Sequence, residues 1–230
     1  MLNPEKAEIL GALFGDKRRF KIRKRYGVYK GYDYSKYLRG SLEISLGKDK
    51  QWGYHLSELF FKSYGVRGSV YKHEEWTLAV ESTRVVKDLA QYYSLSWDCY
   101  SWRIPEIILD SDDMVKRRLL RGYFDAEGYL KRMPRCVEAV SVNKKGLSDM
   151  QLLLKSIGIH SKIYESRSPS AWRLRISCQK NLLLFRDLIN FSIARKSLQL
   201  NIVLKNYVVP KASIPVWRQI SLSKQDIFHA

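Results

Sequence analysis

Two short strings, one in each half of the chain, constrain its fold more than anything else in the sequence. The stronger is LLRGYFDAEG, from Leu119 to Gly128, and its weaker echo is ILGALFGDK, from Ile9 to Lys17. Each sets two small residues four apart, Gly11 and Gly15 in one and Gly122 and Ala126 in the other, with a carboxylate directly after the second. Residues one helical turn apart share a face, and small ones let two helix backbones approach closely. If the two copies pack together, Asp16 and Glu127 meet at the ends of two helices. There like charges repel, and the negative end of each helix dipole adds to the repulsion. A bound cation would relieve it. The competing reading is that each acid only ends a helix or pairs with a neighbouring Lys17, Arg18 or Lys131.

The repeat extends beyond these strings. Phe61-Lys-Ser-Tyr-Gly-Val66 is matched by Leu154-Lys-Ser-Ile-Gly-Ile159, and Trp76, Leu78 and Val80 by Trp172, Leu174 and Ile176. Two halves of similar order are implied. In the first, a period of two runs from Arg19 to Arg25 and again from Leu38 to Leu46, which predicts half-buried strands. A helix is predicted from Trp52 to Tyr64 with Gly65 as its C-cap, then strands at Val66–Tyr71 and Trp76–Glu81 and a helix from Thr83. The second half predicts a short strand after Gly128, strands at Val137–Val142, Ile159–Tyr164 and Trp172–Ser177, and helices at Leu147–Ile157 and Lys180–Phe191. Each half therefore reads helix, strand, strand, helix, strand, strand, helix, and the join falls around Ser94 to Pro105.

Charge narrows the class of partner. The 41 Lys and Arg against 23 Asp and Glu give a net +18, a field that attracts phosphate backbones or anionic membranes. No apolar run reaches spanning length and no signal segment opens the chain, so a soluble intracellular protein with no membrane partner is expected. The run from Lys17 to Lys30 carries eight cations and no acid. Strands alternating cation with apolar residue have one face for helices and one for solvent or a DNA groove. The cation-bearing face assigned to DNA comprises Arg18, Arg19, Lys21, Arg23, Arg25, Arg39, Ser41 and Glu43, with Lys131, Arg135, Lys162, Arg173 and Arg175 in the second half. Cys99, Cys136 and Cys178 lack paired spacing and are expected to be small buried apolar residues. The scattered His and Cys leave oxygen ligands for any metal.

With these residues in view, the chain resembles a LAGLIDADG homing endonuclease of the single-chain, two-motif type. LLRGYFDAEG follows the family pattern, with Gly122 and Ala126 at the helix contact, Asp125 within it, Glu127 as the acid and Gly128 closing the turn. Arg103 to Ile108 resembles the lead-in to the second motif, and Arg195 to Leu198 the basic segment after the last paired strands. The first motif departs at Phe14, where an acid is common, and at Lys17, which replaces the closing Gly.

The resemblance implies an α+β fold of two pseudo-symmetric αββαββα repeats, 1–98 and 99–210, followed by a tail at 211–230 in which Trp217, Ile220 and Leu222 either dock or fray. The motif helices would pack on a central two-fold, with antiparallel sheets forming a saddle over DNA. The implied activity is hydrolysis of two phosphodiester bonds across the minor groove of a long asymmetric site, leaving short 3′ overhangs. Divalent ions, Mg²⁺ with Mn²⁺ as a substitute and Ca²⁺ supporting binding without efficient cleavage, would be held by Asp16 and Glu127, with the carbonyls of Gly15 and Ala126 as helpers. Lys196 matches the family's basic active-site residue, and no counterpart stands between Ser96 and Arg103. Asp125 is assigned hydrogen bonding or capping. A monomer with internal pseudo-dimer symmetry is expected, in a prokaryotic cytoplasm or an organelle matrix. The absence of a splicing nucleophile at the N-terminus favours an intron-encoded protein over an intein. Two alternatives on the same fold are an RNA maturase acting on intron RNA and a non-catalytic DNA-binding regulator.

Overall fold

The computed structural model describes residues 2–24, 28–29, 32–33, 38–94, 98–166 and 170–205. Arg25, the side chain of Arg18 and the tail from 211 onward lie outside the described residues, as do Ser96 and Trp97 of the stretch Ser96 to Arg103 searched for a first-half lysine.

Helix α1 (Pro4–Asp16) starts where Asn3 accepts from the Lys6 N–H at 2.8 Å and Pro4 supplies a preset first turn. Helix α5 (Asp113–Glu127) starts on Asp112, which accepts from the Val115 N–H at 2.9 Å. The two pack along their length because their glycines make room for each other reciprocally. A Cβ on Gly11 would lie 2.0 Å from the Leu119 carbonyl oxygen, and one on Gly122 would lie 2.0 Å from that of Glu8. The same contact made twice is the signature of a local two-fold axis. Gly15 sits directly on the Ala126 methyl, 2.3 Å from where its own Cβ would be, with Cγ of Glu127 3.3 Å from the same point, so the helix contact extends to the ends that carry the two acids.

Each half wraps a four-stranded antiparallel sheet around this pair. The first has order β1-β4-β6-β5, from strands Lys17–Lys24, Leu38–Gly47, Trp76–Glu81 and Ser69–Lys72; β2 (Val28–Tyr29) and β3 (Tyr32–Asp33) form a separate small hairpin. The second sheet repeats the order as β7-β8-β10-β9, from Tyr129–Arg132, Arg135–Ser141, Trp172–Ser177 and Lys162–Glu165. Leu42, Ile44, Leu78 and Val80 face inward with Phe20, against Trp52, Leu56 and Phe60 of α2 (Lys50–Tyr64) and Val85 and Leu89 of α3 (Thr83–Leu89). Val137, Ala139, Leu174 and Ile176 do the same against Leu147, Met150 and Leu154 of α6 (Lys144–Ser156) and Leu182 and Phe185 of α7 (Gln179–Leu188).

The periodicity located these elements well. β6 and β10 match the predicted spans, and α2 ends on Gly65, whose φ of 69° and hydrogen bond to the Phe61 carbonyl make it the left-handed cap expected there. Three elements were not expected: the β2–β3 hairpin, the single-turn α4 (Glu106–Leu109) and the terminal α8 (Ala194–Lys205). Leu38, placed on the apolar face by its period, is exposed because it lies at the outer end of β4. Cys99 and Cys178 are also exposed, and only Cys136 is the buried apolar residue expected of all three.

Polar contacts tie the elements together both within and across the halves. Arg195 of α8 makes a bidentate pair with Asp49 before α2, at 2.6 and 2.9 Å. Arg103 grips Asp149 of α6 at 2.7 and 2.9 Å, which fixes the segment leading toward α5. Within the helix core, the fully buried Glu8 of α1 meets His55 of α2 at 2.6 Å and Arg118 of α5 at 2.8 Å.

Candidate functional site

Asp16 ends α1 and Glu127 ends α5, so the close packing of Gly15 on Ala126 delivers both carboxylates to one place. Burial, then the negative charge of Asp16, push the Glu127 carboxyl up to about 7, and the nearby Lys196 ammonium pulls the other way. The charge of Asp16 is thus the second cause, after burial, of the raised Glu127 carboxyl. Among the described residues no group of three or more His, Cys, Asp and Glu converges on a ready-made metal cage. A pair of hard oxygen donors, partly open to solvent, suits an ion that takes one or two carboxylates and completes its shell with water and substrate phosphate, as Mg²⁺ does.

Lys17 does not distort the turn after the first motif. Its φ and ψ of −71° and 120° are close to the −75° and 136° of Gly128, so the position needs extended backbone and not a left-handed glycine. Its ammonium lies 5.2 Å from the Tyr93 ring, and burial lowers its pKa. Beside it, Phe14, Tyr93, Trp102 and Tyr123 line a cavity of about 330 Å³ that opens next to Gly15 and Glu127.

Phe14 and Asp125 are equivalent positions with opposite chemistry. Phe14 is buried against Tyr93 and Trp102, with ring centroids at 5.0 and 5.5 Å. Asp125 accepts from the backbone N–H of Ser192 at 3.1 Å, from its hydroxyl at 2.5 Å and from the Ile193 N–H at 3.3 Å, so it caps the segment that enters α8. Burial raises Asp125 to about 6 despite these donors. Both residues dock the chain that returns to the motif helix, one through rings and the other through a carboxylate.

Lys196, in the first turn of α8, is buried. Its ammonium donates to the carbonyls of Asp125 and Gly128 at 2.6 Å each and to that of Phe124 at 3.3 Å. Three donors thus satisfy three carbonyls at the C-terminal end of α5, next to Glu127. Burial lowers its pKa to about 8.

Strand alternation gathers most of the residues assigned to DNA on the outer faces of the two sheets. Arg19, Lys21, Arg23, Arg39, Ser41 and Glu81 line one shallow depression on the first, where Arg19 pairs with Glu43 at 2.7 Å and Arg39 with Glu81 at 2.7 Å. Lys21 is half-buried and Arg23 exposed, and the Lys21 pKa is lowered by desolvation and then by the adjacent Arg23 and Arg19, as expected of crowded cations. Lys131, Lys162, Arg173 and Arg175 share the outer face of the second sheet. Arg135 does not join them. It alternates with Cys136 and Glu138 onto the helix side, where it lines a separate depression with Ile202 and Val203. The sequence analysis missed Glu138, which sits among those cations; the period of two through Val137 and Ala139 is the signal that puts it on the outer face, and strand register makes it the counterpart of Glu43.

These features define a two-motif LAGLIDADG fold, with small-residue helix packing, paired terminal acids and a cation-faced sheet in each half. Residues 114–190 match the LAGLIDADG-like domain. The homing endonuclease I-DmoI in complex with DNA and Mn superposes with a TM-score of 0.60 at 18% identity, over 82% of this chain and 97% of that one. Full-length DUF199/WhiA from Thermatoga maritima superposes at 0.54 and 16% identity, over 98% of this chain and 69% of that one. Among curated proteins, the chain is 40% identical over 97 residues to the probable translation initiation factor IF-2 of Thermococcus kodakarensis. It is 28% identical over 169 residues to the same factor of Pyrococcus horikoshii, and 25% identical over 169 residues to a DNA polymerase of Thermococcus kodakarensis. The matches cover 42%, 73% and 70% of this chain, but the chain spans only 8%, 15% and 9% of those proteins.

Proposed function

We propose that the chain is a site-specific, divalent-ion-dependent DNA endonuclease that cuts both strands of a long asymmetric duplex, with Asp16 and Glu127 holding the ions. The observation that carries this reading is the convergence of two repeat-related acids at the ends of two closely packed helices, between two sheets with cationic outer faces. Crystals of I-DmoI containing its target DNA with Mn, Mg or Ca support a duplex partner and a divalent ion. The curated relatives carry unrelated names, so what they share with this chain is a module and not the activity of the whole protein.

When bound, a divalent ion would supply a more acidic attacking water and charge stabilisation at the phosphate. The chain supplies the rest. Asp16 and Glu127 fix the ion position relative to both helices. Lys196 holds the end of α5 through the Asp125 and Gly128 carbonyls, which keeps the Glu127 backbone from fraying, and it places positive charge beside the acids. Asp125 and Phe14 dock the returning segments. Arg19, Lys21, Arg23 and Arg39 draw the phosphate backbone onto the first sheet, where they set register more than sequence. Mg²⁺ is the ion this donor pair suits, and the scaffold needs no second subunit because each half supplies one motif helix.

The test is incubation of the chain with a randomised duplex library, with Mg²⁺ or with chelator, followed by sequencing of the new ends. The expected result is paired cuts at one long motif, with short 3′ overhangs, in Mg²⁺ alone. Uncut libraries at every ion and salt condition, together with tight binding of structured RNA, would replace this reading with that of an RNA-binding module.

A further inference from the structure

The outer faces of the two sheets carry an acid at the same point of the repeat. Glu43 stands opposite Ala79 on β6 and Glu138 opposite Arg175 on β10, three residues beyond the matched Trp76 and Trp172. Their surroundings differ. Glu43 remains partly exposed and holds Arg19. Glu138 is fully buried beneath its own ligands. One carboxylate oxygen accepts from the Tyr129 hydroxyl at 2.6 Å, the Lys131 ammonium at 2.8 Å and Arg173 at 3.2 Å; the other accepts from the Tyr164 hydroxyl and from Nε of Arg175. Arg173 is fixed further by the Tyr129 hydroxyl at 2.9 Å and Ser166 at 3.0 Å, and the Arg175 guanidinium lies 4.5 Å from the Tyr164 ring centroid. Burial alone would raise the Glu138 carboxyl, but the hydrogen bonds from Lys131, Tyr129, Tyr164 and Arg175 hold it well below the usual carboxylate range.

Three of the four cations that the second sheet offers to DNA are thus already engaged with one internal anion, and Lys162 alone of them stays exposed. We propose that Glu138 is an intramolecular counter-anion that withholds Lys131, Arg173 and Arg175 from phosphates, so that the second sheet gives random DNA little affinity and commits these side chains only to a duplex that competes for them. The inference rests on the DNA-binding reading above. Sequence-independent binding comes from cations that displace condensed counterions. A cation paired internally displaces fewer, and a phosphate that draws it away leaves a buried carboxylate short of partners, which is costly. Weak reward for random sequence is one route to specificity, because discrimination is a difference of affinities. The first sheet, where Lys21 and Arg23 lie outside any ion pair among the described residues while Arg19 and Arg39 each hold one acid, supplies the sequence-independent grip.

The experiment is the affinity of the full chain for a random-sequence duplex across a salt series in chelator, for wild type, Glu138→Gln, Arg175→Gln, Lys21→Gln and the Glu138→Gln/Arg175→Gln pair. Glu138→Gln is expected to tighten random binding about ten-fold and to steepen the log affinity against log salt line by about 1 to 2. Arg175→Gln should cost several-fold less than Lys21→Gln in the wild-type background and distinctly more once Glu138 is neutralised, a non-additivity that a purely structural role would not give. Additive effects, or unchanged or weaker random binding by Glu138→Gln, would overturn the proposal. Should Glu138→Gln fail to fold, Lys21→Gln against Arg175→Gln still decides, since equal losses from the two sheets contradict it. A wild-type chain without salt-dependent duplex binding overturns the DNA reading itself, whereas binding with equal losses overturns only the role of Glu138.

Discussion

Glu127 is the residue at which function and stability conflict most openly. Its carboxyl is raised from an ordinary 4.5 to about 7 by burial and by Asp16, so the folded chain binds a proton there more tightly than the unfolded chain does. No penalty is present below pH 4.5; it grows as pH rises from 4.5 to 7 and is constant above 7, where it amounts to about 1–3 kcal/mol. Glu127→Gln should therefore raise the denaturant midpoint in chelator at pH 8 and leave it unchanged at pH 4.5, with Mg²⁺ narrowing the gap by stabilising only the wild type. Equal midpoints at both pH values would show that neither burial nor Asp16 penalises the Glu127 charge. Asp16 and Glu127 were legible in the sequence because they follow repeated small-residue pairs. Lys196 was legible as a position but not in its contacts, since nothing in a string shows that an ammonium will turn toward the carbonyls of a helix seventy residues earlier.

At the scale of elements, the α1–α5 contact depends on glycines more than on any apolar stripe. Gly122→Ala would force a methyl to within 2.0 Å of the Glu8 carbonyl, backbone against backbone, and should destabilise the chain by about 3 kcal/mol. Gly53→Ala is the control, because the nearest atom its methyl would meet is the end of the Leu46 side chain at 2.4 Å and not backbone; its cost in the same urea titration should be smaller. Equal costs would mean that the helix pair has slack. Strands and helices of both sheets were readable from their periods. Helix α8 was not, because its residues were visible only as a basic segment, and its docking depends on Asp125 capping residues 192–193 from a distant helix. Arg135 shows the limit of reading charge alone: its parity in β8 turns it to the helix side, away from the cations it resembles.

The whole molecule joins two halves with the same strand order and unequal surfaces. The first sheet pairs Arg19 with Glu43 and Arg39 with Glu81 and leaves Lys21 and Arg23 outside any ion pair among the described residues, the second gathers three cations on the single Glu138, and the acids meet on the axis between them. The net charge of +18 signals attraction to a polyanion, but it does not say which cations remain available once the chain has folded. That distinction comes from strand register, which brings Glu138 opposite Tyr129 and Arg175, and register is a property of the assembled sheet. The claim on which everything else depends is that Asp16 and Glu127 form one catalytic site, and it is tested most directly by cleavage of the selected duplex in Mg²⁺ by wild type, Asp16→Asn and Glu127→Gln, with binding measured in parallel in Ca²⁺. Glu127→Gln and Asp16→Asn are each expected to lose double-strand cutting by at least about a thousand-fold while binding stays within a few-fold. Full double-strand cutting by either variant would contradict it.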